Sequence, residues 1–220
     1  MERNYSIWDE NKKISGSEQF LLDWAGIPQF QRQEADLKPD DCDIESFRRL
    51  ANIRNNLPAF LESHKNNLVI CGNNLGCGKT EWALKLMLTH IENNAPRLVG
   101  IDEMLLDKIF NIGVFCKTVP FLVEMKQFGN NSASQKLYKK LKTTDLAVFD
   151  DVSAVPMSNY DYNILYALVE NRIWEGLPSI FTTNITSLSE LQKEVGPRLA
   201  ERIWKTSTII ELRGEGYRGI

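Results

Sequence analysis

The chain has 220 residues, 43% of them hydrophobic and 25% charged, with a formal net charge of -3. That composition is close to the globular average and excludes wholesale disorder. The slight negative charge excludes a blanket electrostatic grip on nucleic acid, so any such contact must come from a local basic patch.

A length of 220 suits one domain with a substantial core. No stretch approaches the roughly 18 apolar residues that cross a bilayer. The start, MERNYSIWDENKK, has no apolar signal region. Cys42, Cys71, Cys77 and Cys116 form no CxxC pair, and only His64 and His90 could join them, so no zinc site is expected. Reduced thiols and a soluble, cytoplasmic protein with no membrane partner follow.

In chain order, residues 1–24 are a candidate partner-docking arm. Residues 1–45 carry eleven acids against five bases and end in the acidic turn KPDDCDIE, which reads as solvated surface or a partner-facing arm. NLVIC (67–71) is a short apolar strand, and a glycine loop separates it from KTEWALKLMLTHIE (79–92), whose apolar residues recur at helical spacing. IGVFCKTV (112–119) predicts a second strand, with FLVEMKQF (121–128) a helix after Pro120. DLAVFDD (145–151), SIFTTN (179–184) and STIIEL (207–212) are further buried-strand runs. Helical patterns fill the gaps at 160–176, 188–195 and 198–204. Five strands alternating with helices call for an α/β fold, a parallel sheet covered on both faces. Such sheets bind ligands outside the carboxyl ends of their strands, where the polar motifs fall.

The loop CGNNLGCGKT lies between a strand and a helix start. Gly76, Gly78, Lys79 and Thr80 give the GxGKT core of a phosphate-binding P-loop: glycine amides free to face phosphates, a lysine for the outer phosphates and a hydroxyl for magnesium. The full pattern wants glycine at 73, where the chain has Asn73 beside Gly72. Asparagine tolerates positive φ, so Asn73 is expected to make that turn, or else the loop is one residue longer. The candidate nucleotide contacts are Gly72, Asn73, Asn74, Leu75, Gly76, Cys77, Gly78, Lys79, Thr80 and Glu81. An ordinary glycine turn is the plain alternative. LAVFDD ends in Asp150 and Asp151, suited to holding magnesium and to orienting or deprotonating a water, or else simply to capping a turn. Asn184 ends the next strand and suits water positioning. Arg198 and Arg202 share a helix face, as an arginine finger acting on a neighbouring subunit or as a solvated basic face.

These stretches together resemble the AAA+ ATPases of the DnaC and DnaI helicase-loader type and the related transposition helper IstB, over residues 25–220. The resemblance implies a P-loop NTPase with an AAA+ core over 25–213 and a tail at 214–220; the C-terminal helical lid that many AAA+ proteins have is not expected, since no room is left for it after residue 212. It further implies ATP and Mg2+ as cofactors, with Lys79 and Thr80 on phosphate and magnesium, Asp150 on magnesium, Asp151 activating water and Asn184 as sensor. Arg202 would be the finger and Arg218, in the closing GYR, a second sensor, while Ile27 and Pro28 in WAGIPQF would touch adenine. The implied partners are a replicative helicase, single-stranded DNA and further copies of the chain in an ATP-dependent oligomer. Residues 95–111 look like an insertion, and the short N-terminal region suggests a phage or mobile-element form. An IstB-like helper with a transposase partner, a nucleotide-gated helicase-binding module that barely hydrolyses, and a small-molecule P-loop kinase are the rivals.

Lys126, Lys136, Lys139, Lys140 and Lys142, with Tyr138 among them and no acid in between, are a candidate single-strand DNA surface, or a solvated lysine-rich helix. Trp82 and Trp174 read as core or subunit contacts.

Overall fold

The computed structural model describes residues 22–23, 25–27, 37, 39–94, 111–128, 132–154 and 156–215. Each apolar run forms a strand: β1 (Asn67–Cys71), β2 (Gly113–Lys117), β3 (Leu146–Asp150), β4 (Ser179–Thr183) and β5 (Ser207–Glu211). All pair in parallel, in the order β2-β3-β4-β1-β5. Eight α-helices accompany them among the described residues: α1 (Ile44–Asn55), α2 (Leu57–Leu61), α3 (Lys79–Asn94), α4 (Thr118–Phe128), α5 (Ser132–Thr143), α6 (Asn159–Trp174), α7 (Leu188–Val195) and α8 (Pro197–Lys205). The expected strand over 112–119 stops at Lys117, and its helix starts at Thr118. Pro120 is accommodated because a helix's first turn needs no N–H from it. α1 and α2 went unassigned in the sequence; α1 is rich in charge and buries only Phe47 and Leu50.

Successive strand residues face opposite sides of the sheet. Leu68, Ile70, Leu146, Val148, Ile180 and Ile210 face α1 and α3, meeting Phe47, Leu50, Trp82 and Met87. Val69, Cys71, Val114, Ala147, Phe149 and Phe181 face the other way, under α4, α6, α7 and α8. Apart from half-exposed residues of the edge strand β5 and Lys117 at the end of β2, neither face meets water, which is why the strands read as continuous apolar runs. Burial of each Val, Leu, Ile and Phe among them stabilises the fold by roughly 1.5 to 3 kcal/mol. Of the two readings given for these tryptophans, Trp82 is core, while Trp174 is 86% exposed and only the subunit-contact reading is left for it.

The helix after β1 lies on one face and the helices after β3 and β4 on the other. A crevice therefore lies between the carboxyl ends of β1 and β4, where the strand order reverses. β5 is followed by no helix among the described residues. A buried charge braces the opposite end of the sheet: Arg172 donates to Ser179 Oγ at 2.8 Å, to the carbonyls of Leu141 and Thr144 at 2.8 and 2.9 Å, and to that of Pro178 at 2.6 Å. It ties the end of α5 to the start of β4. Burial pushes its pKa down to about 9, and Asp145 opposes that shift.

Candidate functional site

The glycine loop starts where β1 ends. Leu212 N donates to Cys71 O at 2.7 Å and Gly72 N to Thr183 O at 3.3 Å, so residues 71 and 72 are gripped from both sides. A Cβ on Gly72 would lie 2.1 Å from the Leu212 carbonyl oxygen. This glycine is therefore required by the close approach of the chain leaving β5. Asn73 does not make the expected left-handed turn: among the described residues only Asp151, apart from glycines, has positive φ. The turn falls instead at Gly76 (φ 79°) and Gly78 (φ 96°), whose missing side chains allow it.

Lys79 opens α3, and its ammonium donates to Gly72 O at 2.9 Å and Asn74 O at 3.0 Å, with Cys77 Sγ 3.4 Å away. Asn74 Nδ2 reaches Arg213 O at 2.7 Å and Gly214 O at 3.1 Å. Leu75 is 81% exposed at the loop tip, Cys77 is buried, and Glu81 is half-buried. The loop leads directly into the N-terminal turn of a 16-residue helix, whose positive dipole end favours an anion.

The acidic strand end meets this loop. Thr80 Oγ1 donates to Asp150 Oδ1 at 2.9 Å, and Thr182 Oγ1, one strand over, donates to the same oxygen at 2.6 Å. Asp150 Oδ2 has no donor among the described residues, which leaves one carboxylate oxygen beside the Thr80 hydroxyl. Two hard oxygen groups so arranged fit magnesium, which takes one or two carboxylates and completes its shell with phosphate and water. Asp151 stands at φ 59°. Its carboxyl is pushed above the usual range, first by burial and then by the charge of Asp150, with Lys79 pulling the other way. Asn184 is half-buried directly after Thr183. Thr183 Oγ1 lies 2.5 Å from Ser153 Oγ and accepts from Ile185 N at 3.0 Å. The turns after β3 and β4 are thereby joined.

Other expected site residues lie apart from this cluster. Arg202, on α8, makes a two-point pair with Glu170 of α6, at 2.6 and 3.2 Å. That partner, together with Tyr166, raises its pKa. Arg198 is exposed at the start of α8. Ile27 is buried, and its segment is fixed to the sheet edge by the bond from Phe115 N to Ala25 O at 2.8 Å, on β2, three strands from β1. Pro28, Arg218 and residues 95–110 lie outside the described residues, as does nearly all of the arm at 1–24.

The lysines divide. Lys126, Lys136, Lys139 and Lys142 are exposed, while Lys140 is partly buried and lines a cavity of about 310 Å³ with Lys117, Glu124 and Phe121. Burial takes its pKa down to about 8. Tyr138 is partly packed against the core.

Sequence reasoning missed Thr182 as a site residue. Its signal was available: a hydroxyl on a strand buried on both faces demands a partner. In the acidic turn Asp41, Cys42 and Glu45 are exposed as expected, but two carboxylates have structural partners. Asp43 is buried and accepts from Arg213 N and Gly214 N, both at 2.7 Å, while Asp40 accepts from Glu215 N at 2.8 Å. These carboxylates hold the chain segment on which Asn74 rests.

No protein-family profile matches the sequence, and no curated protein does. Solved structures match the fold. The DnaC helicase loader is 18% identical with a TM-score of 0.59, over 80% of this chain and 93% of that one. DnaI is 20% identical with a TM-score of 0.62, over 87% and 94%. A primosome component of Streptococcus pyogenes serotype M3 is 17% identical with a TM-score of 0.62, over 90% and 97%. AMPPCP-bound DnaA from Aquifex aeolicus is 15% identical with a TM-score of 0.56, over 80% and 48%. The chain therefore has the AAA+ type of P-loop α/β fold seen in DnaC and DnaI.

Proposed function

We propose that the chain is an AAA+ ATPase of DNA replication that assembles with further copies of itself on ATP, grips single-stranded DNA and helps place a replicative helicase on it in the cytoplasm. The observation that carries this reading is the 2.9 Å hydrogen bond from Thr80 to Asp150. It joins the helix that follows the glycine loop to the acidic strand end, the two halves a phosphoryl-transfer site requires. Lys79 and the loop amides hold the phosphates, and Thr80 and Asp150 hold magnesium, which when bound neutralises phosphate charge. Asp151 takes the proton of the attacking water, a role its raised pKa suits, and Asn184 orients that water. Arg202 serves a neighbouring copy's site, and to do so it must leave Glu170. The names of the solved neighbours support the replication role: DnaC is a helicase loader, and one DnaA structure of this fold holds AMPPCP and single-stranded DNA.

Hydrolysis measured on mixed variants tests the reading. Lys79→Ala and Arg202→Ala are each expected to abolish turnover, Arg202→Ala while still binding nucleotide, and a mixture of the two recovers part of it because each supplies the half the other lacks. Loss of binding in Arg202→Ala removes that residue from the finger role. Replacing Lys136, Lys139 and Lys142 by Ala is expected to reduce the salt slope of single-strand DNA binding by about 2, at about 0.7 per phosphate contact. The second reading is a nucleotide-gated helicase-binding module with little hydrolysis. The two-point Arg202–Glu170 pair favours it, since that pair holds the arginine away from a neighbour's phosphates.

A further inference from the structure

Thr182 is 2% exposed on β4, yet it makes three contacts with the turn that carries both acids. Its hydroxyl donates to Asp150 Oδ1 at 2.6 Å and accepts from Asp151 N at 2.8 Å, and its carbonyl accepts from Val152 N at 3.0 Å. A hydroxyl has one proton to give. A backbone N–H can only donate, so the proton must go to Asp150, and the direction of both bonds is fixed. Asp151 is also the one non-glycine residue with positive φ among the described residues, at 59°. Such a conformation persists only where its surroundings over-determine it. Here the surroundings are Thr182 on one side and the Ser153–Thr183 hydroxyl pair, 2.5 Å apart, two residues on.

We infer that Thr182 is a positioning residue, a single hydroxyl on β4 that aims Asp150 at the metal and Asp151 at the attacking water from one fixed point. This rests on the hydrolytic reading of the site. Thr80 also donates to Asp150, but Thr80 is needed at the metal, so Thr182 is the donor with no other task. The same residue couples Asn184 to the acids. Asn184 is two residues along the chain from Thr182, and a shift of β4 that moved the asparagine would move both carboxylates with it.

The test compares wild type, Thr182→Val and Thr182→Ser in the full chain. The readouts are thermal unfolding, affinity for a fluorescent ATP analogue with and without Mg2+, and turnover. Valine keeps the shape and removes the hydroxyl; serine restores it. Thr182→Val is expected to bind the analogue without Mg2+ within about twofold of wild type, to lose most of the gain in affinity on adding Mg2+, and to turn over about 10- to 100-fold more slowly, the usual effect of removing a group that orients a metal ligand. Thr182→Ser recovers turnover to within about threefold. If Thr182→Val fails to fold, Thr182→Cys, similar in size but a weak donor, takes its place with the same expectations. Unchanged Mg2+ dependence and turnover in the variant overturn the inference, as does a serine variant no better than valine. A wild type that binds Mg2+-ATP without hydrolysis, with Thr182→Val losing the Mg2+ effect, sinks the hydrolytic reading and leaves the positioning of Asp150 standing. A wild type that ignores nucleotide overturns both.

Discussion

Gly72→Ala separates the two reasons a glycine could stand at the head of the loop. A methyl there would lie 2.1 Å from Leu212 O, 3.1 Å from Leu212 C and 3.3 Å from Cys77 Sγ. A carbon-to-carbonyl-oxygen contact normally sits at about 3.3 Å or more, so the closest gap is short by about 1.2 Å. The obstacle is backbone and cannot swing aside as a side-chain tip could. Relief means parting the 2.7 Å bond from Leu212 N to Cys71 O, worth about 1 kcal/mol net, and absorbing an overpacking cost of about 1 to 3 kcal/mol. The sum is about 3 kcal/mol, which for a chain of this size lowers the melting temperature by roughly 6 to 12 °C. Asn73→Gly is the control. Because Asn73 does not use positive φ, a glycine gains nothing there and costs less than about 1 kcal/mol of chain entropy. Urea and thermal unfolding of both variants, with ATP affinity measured alongside, decide the matter. An alanine variant melting within about 2 °C of wild type, or an Asn73→Gly variant binding ATP about tenfold more tightly, would refute the reasoning.

Three further outcomes follow from buried charge. Asp151 has a folded pKa above its unfolded one, so between those values the folded state holds more protons and ionisation there destabilises it. Asp151→Asn should therefore melt higher than wild type at neutral pH, with the difference vanishing as pH falls below the ordinary carboxylate range. Lys140, with its folded pKa lowered by burial from 10.5 to about 8, has the opposite sign. Lys140→Met should gain stability that is constant below about pH 8 and shrinks to nothing as pH approaches 10.5, a trend read from melts across that range. Arg172→Met removes four hydrogen bonds, three to carbonyls and one to the Ser179 hydroxyl; at about 1 kcal/mol each, unfolding in urea should show a loss of about 4 kcal/mol.

The sheet was legible because every strand but the edge strand β5 is buried along nearly its whole length and all are bounded by turn residues, so β1 and α7 were read to the residue and the other strands to within two. The GxGKT core and the two aspartates were legible for a related reason: each combines a local backbone need with a side chain placed just past a strand or at a helix start. What escaped depended on partners far along the chain. The role of Gly72 is decided by Leu212, and the burial of Asp43 by amides at 213 and 214, with no local sign of either. Arg172 sits in a helix as any surface arginine would, and only the folded chain brings the ends of α5 and β4 to it. Of the two readings of the offset, a left-handed Asn73 fails, because tolerance of positive φ is not use of it; the glycines three and five residues later make the turn instead.

The central claim is that the loop from Gly72 to Thr80 and the aspartates closing β3 form one magnesium-nucleotide site. Calorimetric titration of ATP into wild type and Lys79→Ala, each with and without Mg2+, tests it most directly. Expected is submillimolar, Mg2+-dependent binding by wild type that weakens at least about tenfold in Lys79→Ala, a loss of about 1.4 kcal/mol or more. Wild type indifferent to ATP and Mg2+ at millimolar concentration, or binding equally well without the lysine, would contradict it.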